Sequence, residues 1–300
     1  MVFRWDWLRP ALTAAVVPTL GPVHPHALTV DLFEATLLVA ADRSFLPYDK
    51  DRRWGGEKQE VVLVDDVVHH PGHTLVPTLL TRNRRSVKVF AYGHRSDLLD
   101  QAAELAAKLA AVHGAAAARV VRPLAPETPH PRGVRIQLQD FTARPCPPAT
   151  GPVRRLEDWP LPIRGTFTAF ARTMAADGFT FLNRQMKTKG RGPVLVAVLE
   201  DRVVGAIGPM EVGPDPTGVA QLMPQYFAVH PEARGQGLGR QLWRAAMHWG
   251  HTHGAAYQLL QTEVGGASDH LCRTEGLATL GFVDASTVCV PRGSVRGALR

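Results

Sequence analysis

Three glycines, Gly235, Gly237 and Gly239, alternate with other residues between Arg234 and Arg240 in the stretch VHPEARGQGLGRQLW, Val229 to Trp243. Glycine carries no Cβ, so a bulky anion can come close to the peptide amides. Flanking arginines can add charge-assisted contacts to phosphate oxygens. The chemistry these residues suit is the grip of a phosphate-bearing carrier. Upstream, QLMPQYFAV reads as a strand; downstream, Leu238, Leu242, Ala245 and Ala246 recur at helical spacing. The glycines therefore occupy a strand-to-helix turn, where the first helical amides lack partners and the helix dipole favours an anion. The spacing is not that of a dinucleotide GxGxxG turn, and no Lys-Ser or Lys-Thr follows. On these residues alone, a helix start packed tightly on its strand, with solvated arginines, is an equally open reading.

The surrounding elements narrow the choice. FTAFARTMAADGFTFLNRQMK reads as one or two helices, and PVLVAVLEDRVVGAIGPMEV as a hairpin around Glu200-Asp201-Arg202. After the glycine turn and its helix come the strand AYQLLQTEV, the short helix SDHLCRTEGLATLG and the strand FVDASTVCV. From about Arg164 to Val290 this order resembles the GNAT acyltransferase family, whose Q/R-x-x-G-x-G/A signature is matched by Arg234, Gly237 and Gly239. YFAVHPEARGQGLG and the later TLGF, Thr279 to Phe282, also resemble that family's pattern. The resemblance implies a mixed, splayed sheet, with the pantetheine of an acyl donor between two parting strands. It places the donor along Tyr226, Phe227, Ala228 and Val229. The pyrophosphate would lie on Arg234, Gly235, Gln236, Gly237, Leu238, Gly239 and Arg240. Acyl-CoA, acetyl-CoA first, is the donor so implied, and no metal is expected.

Two departures from the family pattern bear on mechanism. GLATLGF puts Leu277 where many relatives carry an acidic tyrosine, and Met223, Pro224 and Gln225 fill the region where many carry a carboxylate. Loss of the tyrosine is tolerable for a thiol leaving group, whose reference pKa is about 8.5. The base candidates that remain are Glu263, at the end of QLLQTEV, and Glu211, at the end of the hairpin. Glu263 is the first choice, and it is equally readable as a surface carboxylate on a loop before Gly265-Gly266. HHPGH, His69 to His73, lacks a carboxylate at zincin spacing and reads as a histidine-rich turn.

The remaining chain sets the frame. At 300 residues and 45% hydrophobic, there is room for two domains and no apolar run of membrane-spanning length. MVFRWDWLRPALTAAVVPTLGP reads as an amphipathic or irregular first segment rather than a signal peptide. Three cysteines without CxxC spacing read as free thiols, and a cytoplasmic location is expected. Arg144 to Pro162, rich in proline, reads as an interdomain linker. The expected organisation is a separate N-terminal α/β domain over 1–145, a linker over 146–162 and a GNAT domain over 163–300. In the first domain, EVVLVDDVV, SVKVFAY, AARVVRPL and GVRIQLQDF read as strands, and Ser96 to Gly114 as a helix capped by Ser96. Its strand–helix–strand run from Ser86 to Val121 is open to reading as a degenerate second copy of the GNAT fold.

The net charge is +7, and two acid-free windows are basic, between Asp66 and Asp97 and between Asp177 and Glu200. Solvated surface is one account. The other is contact with the phosphates of a charged tRNA through Arg82, Arg84, Arg85, Lys88, Lys187, Lys189 and Arg191. Three functions follow in order of preference. They are an acyl-CoA-dependent N-acyltransferase acting on a small-molecule amine, a tRNA-dependent aminoacyl transferase, and a non-catalytic binding module of the same fold.

Overall fold

The computed structural model describes residues 16–289 other than 82–83, 94, 129, 131, 144–145, 147 and 149–150. The expected irregular first segment thus lies largely outside the described residues, as does Arg82. The chain divides into two compact units, Met1–Gln137 with Gln261–Arg300, and Leu138–Leu260. This differs from the expected division near the proline-rich stretch, and the reason is strand pairing at the end of the chain, set out below.

The first unit begins with β1 (Val16–Val17) and β2 (Gly21–Pro22), then α1 (Val30–Ala41), whose first turn is capped by the Thr29 hydroxyl. β3 (Glu60–Val62), β4 (Val68–His70), β5 (His73–Leu80) and β6 (Ser86–Gly93) follow. EVVLVDDVV is therefore broken: a 3-10 turn over Val64–Asp66 separates β3 from β4. α2 (Leu98–Val112) starts one residue later than Ser96 would cap it, with Asp97 at the N-cap. β7 (Ala117–Leu124) returns parallel to β6, and their pairing is unbroken from Ser86↔Ala117 to Phe90↔Val121. β8 (Val134–Asp140) leads out of the unit. The alanine face of α2 (Ala102, Ala106, Ala110) packs on Val87, Val89 and Val120 to form the core. The last strand, β16 (Ala278–Val288), pairs antiparallel with β7 from Phe282↔Leu124 to Val288↔Ala118. Seven paired positions thus bind the chain's end to the N-terminal strands.

The charge cluster at Asp49–Arg53 is structural: Asp49 is buried, pairs with the buried Lys58 ammonium and accepts the Asp51 N–H at 2.9 Å. The HHPGH segment is the β4–β5 turn. His69 Nδ1 lies 3.1 Å from the Thr74 hydroxyl, and the buried His73 ring is held below its usual pKa, first by burial and then by neighbouring positive charge.

The second unit opens with β9 (Val153–Arg155), so part of the expected linker is an edge strand paired with β10 (Leu195–Leu199). α3 (Leu161–Thr173) begins at the end of that stretch, with Pro162 in its first turn, where a missing N–H costs nothing. α4 (Phe179–Lys189) follows after a sharp turn at Gly178. β10 and β11 (Arg202–Gly208) form the expected hairpin, its turn made by Glu200 and Asp201 at φ 47° and 57°. β12 (Val212–Pro214) and β13 (Ala220–Leu222) make a second, short hairpin. β14 (Tyr226–Val229), α5 (Leu238–Thr252) and β15 (Tyr257–Glu263) complete it, and α6 (Ala267–Thr274) precedes β16. Phe167, Phe170, Phe179, Leu182, Val196 and Val203 fill the space between α3, α4 and the β10–β11 hairpin.

Candidate functional site: the cleft beside the glycine turn

Residues 220–229 part from β15 after a single point of pairing. Gln221 sits opposite Tyr257 in parallel register, and the Ala256 N–H donates to the Ala220 carbonyl at 2.8 Å. Beyond Met223-Pro224-Gln225 the segment becomes β14 and joins a different sheet, in the order β14-β11-β10-β9. A proline cannot supply a ladder N–H, so this is where pairing can end. β14 is consequently an edge strand on the side away from β11.

The ladder says which groups face that edge. The His230 N–H donates to the Val204 carbonyl at 2.7 Å, so residues 230, 228 and 226 bond toward β11 by antiparallel alternation. Phe227 and Val229 turn their N–H and C=O outward. Of the four strand residues that the family resemblance assigns to the donor, these two face the crevice with their backbone groups; Tyr226 and Ala228 spend theirs on the sheet. The outward Val229 carbonyl accepts the Arg234 Nε at 3.1 Å, so that arginine folds back over the strand end.

The turn above the strand is open. Gly235 and Gly237 have φ of 80° and 78°, the left-handed region glycine tolerates, and nothing lies within 4 Å of a Cβ built on either. Arg234, Gly235, Gln236, Gly237 and Arg240 are exposed, whereas Leu238 is buried as the first anchor of α5. Gly239 serves packing instead, with Phe227 and Val229 side chains at 3.6 and 3.7 Å from its would-be Cβ. Gly237 is the N-cap of α5 and no side chain caps it, so the first amides stay available to an anion.

Around this turn a cavity of about 530 Å³ is lined by Thr166, Phe170, Glu200, Arg202, His230 and Gln236, among others. The carboxylates of Glu200 and Glu232 sit on it, which suits it poorly to a phosphate. At the other end of β14, the Tyr226 ring lies against Phe179 and Phe181 of α4, centroids 6.3 and 6.2 Å away.

The base candidates fall in different units. Glu211 follows β11 and takes the Met223 N–H on its backbone carbonyl at 2.9 Å, beside the point where β13 and β14 separate. Glu263 ends β15 with an exposed side chain and belongs to the other unit. Leu277 is buried in the loop before β16. Sequence reasoning passed over two polar clusters nearby. Tyr257 donates to the buried Asp215 carboxylate at 2.8 Å, and burial first, then that bond, push the phenol well up. The other is a side-chain amide pair: Gln258 Nε2 donates to Gln225 Oε1 at 2.6 Å. A glutamine inside the apolar run YQLLQTEV was the available signal.

Of the basic windows, Lys88 is engaged internally, its ammonium 3.1 Å from Glu60, and Arg85 donates to the His113 carbonyl at 3.2 Å. Arg84, Lys187 and Lys189 are exposed, Lys187 reaching the Thr168 hydroxyl at 3.4 Å. Arg191 follows α4, half-buried and within contact of other groups. Among the described residues there is no group of three metal-ligating side chains, and no helix long and apolar enough to cross a membrane.

A mixed sheet thus splits beside a strand–glycine turn–helix unit. Residues 190–274 match the family model for the acetyltransferase (GNAT) domain, and this part of the chain is a GNAT domain. No curated protein matches the chain. Among solved structures it aligns with a GCN5-related N-acetyltransferase from Sphaerobacter thermophilus at 16% identity, covering 85% of this chain and 91% of that one, with a TM-score of 0.48. It aligns likewise with a GNAT-family acetyltransferase from Colwellia psychrerythraea at 13% identity over 86% and 96% of the two chains, TM-score 0.48. A tandem GNAT protein from the clavulanic acid biosynthesis pathway aligns at 15% identity over 86% and 94%, TM-score 0.47.

Proposed function

We propose that the protein is an N-acyltransferase that moves an acyl group from acyl-CoA, acetyl-CoA first, to the amine of a small molecule. The observation that carries this is the exposed, uncapped α5 N-terminus at Gly235–Gly237, set at the end of a strand whose outer edge is open. The pyrophosphate would lie on the amides of the turn, with Arg240 beside it. The pantetheine amides would pair with Phe227 and Val229 along the edge of β14. The acyl carbon would then lie toward Gln225, where the segment turns from one sheet to the other.

Chemistry in such a site is positioning and proton removal. The amine attacks the thioester carbonyl, the C–N bond forms, the C–S bond breaks and the thiolate leaves. A thiolate with a reference pKa of about 8.5 needs little help, which fits the buried Leu277 at the position of the family's tyrosine. The amine proton must go to a carboxylate or to water, and Glu211 and Glu263 are the groups we assign to that role. Titration calorimetry with acetyl-CoA tests the reading: saturable one-to-one binding is expected, and no heat at millimolar donor overturns it.

A charged tRNA as donor is the second reading, favoured by the exposed Arg84, Lys187 and Lys189 and weakened by the pairing of the half-buried Lys88 with Glu60. It predicts retardation of total tRNA that weakens steeply with salt. Free tRNA migrating unchanged at low salt removes it. Catalytic turnover of any amine removes the reading as a binding module.

A further inference from the structure

The crevice has a closed end. Its two strands meet at Gln221↔Tyr257 and diverge past Met223-Pro224-Gln225, and at that point the Gln225 and Gln258 side chains join across the gap at 2.6 Å. The orientation of both amides follows from a carbonyl. Gln225 Nε2 donates to the Met223 carbonyl, which can only accept, so Gln225 must offer Oε1 to Gln258, and Gln258 must answer with Nε2. Gln258 is wholly buried, and its Oε1 has no protein partner among the described residues. Gln225 is only half-buried and belongs to the segment that leaves β15 for the other sheet. The link therefore rests on one carbonyl, and whatever displaces Gln225 strips the Gln258 side chain of this hydrogen bond as well.

We propose that the Gln225–Gln258 amide link is the floor of the donor site and restricts the acyl group to a short chain. This rests on the acyltransferase reading above and specifies its donor class. An arm anchored at Gly235–Gly237 and running along Val229 and Phe227 points its acyl end at Gln225, four residues and about 13 Å from Val229 at a strand's rise per residue. A two- or three-carbon acyl group ends against the amide pair. A longer chain has to push the pair apart, and an apolar chain offers neither amide a replacement partner. Gln225 and Gln258 are specificity-determining side chains; an amide cannot take the amine's proton, so neither replaces the base.

The test is calorimetry of the full-length protein and its Gln225→Ala and Gln258→Leu variants with acetyl-, butyryl- and octanoyl-CoA. Wild type is expected to bind acetyl-CoA at least ~10-fold more tightly than octanoyl-CoA. Gln225→Ala should shift the preference toward the long chain, raising octanoyl-CoA affinity relative to acetyl-CoA by ~10-fold or more, since each newly buried methylene adds to binding. Should Gln258→Leu fold poorly, Gln225→Ala decides alone, because Gln225 is only half-buried. Equal binding of all three thioesters by wild type, or an unchanged preference in Gln225→Ala, overturns the floor and leaves the acyltransferase reading standing. Failure of all three to bind overturns both.

Discussion

Gly178, at the turn between α3 and α4, lies so close under Tyr226 of β14 that a Cβ there would fall 2.3 Å from the ring's Cε1. Gly178 also holds φ at 84°, a conformation other residues adopt with strain. The contact ties the α3–α4 hairpin to the first residue of the crevice strand. Gly178→Ala should therefore cost about 1–3 kcal/mol of stability through strain and overpacking. Because Tyr226 must move, donor affinity should fall as well. Urea denaturation followed beside calorimetry checks both; a variant as stable as wild type contradicts the contact.

Gly237→Ala probes the anion cradle without touching the core. The new methyl meets nothing within 4 Å, so stability should fall only by the left-handed strain, about 1 kcal/mol. The same methyl crowds the α5 amides, and the affinity for acetyl-CoA should drop ~10-fold or more. Parallel loss of fold and binding would instead make Gly237 a packing residue.

Glu211→Gln and Glu263→Gln separate the two base candidates. Removal of the true base should lower kcat by about 10²–10⁴ with the donor Kd unchanged. The other variant should behave as wild type. If both do, the amine's proton leaves by a different route.

Acid sensitivity should centre on Asp269. Its buried carboxylate accepts Arg135 Nε at 2.7 Å, Thr262 Oγ1 at 3.2 Å and the Gly265 N–H at 3.1 Å. Burial alone would raise its pKa, but Arg135 and the backbone bond outweigh that, and the folded value lies below the usual one. A carboxylate lowered on folding adds stability that is fully present above its unfolded pKa of about 3.9 and is lost as pH falls through the folded value. Stability should thus fall as pH drops below about 5. Asp269→Asn should flatten that dependence, while costing about 3–5 kcal/mol at pH 7 by leaving Arg135 without its charge partner. Denaturation curves at several pH values measure both effects.

Thiol labelling offers a check on the packing of α6. The Cys272 thiol is buried and its pKa is pushed up to about 12, first by burial and then by Asp269 and Glu275. Cys289 is exposed. At pH 8, Cys289 should react with a thiol reagent at once, and Cys272 only after denaturation. Rapid native labelling of Cys272 would mean that α6 opens readily.

Much of this molecule is written locally. The β10–β11 hairpin, the α5 amphipathic stripe and the glycine turn at 235–239 are each specified by residues within a few positions of one another. Alternation, helical spacing and absent Cβ atoms act at that range. The open, uncapped turn, on which a phosphate-arm reading depends, was legible for that reason. The limits of local reading show in EVVLVDDVV, where Asp65 and Asp66 interrupt a run of β-branched residues with a 3-10 turn. They show again at Val153–Arg155, a strand amid prolines because β10 supplies an edge for it.

Other features have no local cause. β16 follows the GNAT elements in sequence, yet its pairing with β7 places it in the N-terminal unit, because a strand's partner is chosen by whichever free edge it can reach and bury. The Gln225–Gln258 bond joins positions whose separation in sequence conceals that two strands diverge between them. Residue types and spacings determined which segments become helix, strand and anion turn. Only the folded chain decided which strand edge stays unpaired and which side chains meet across the gap, because both depend on contacts between distant segments.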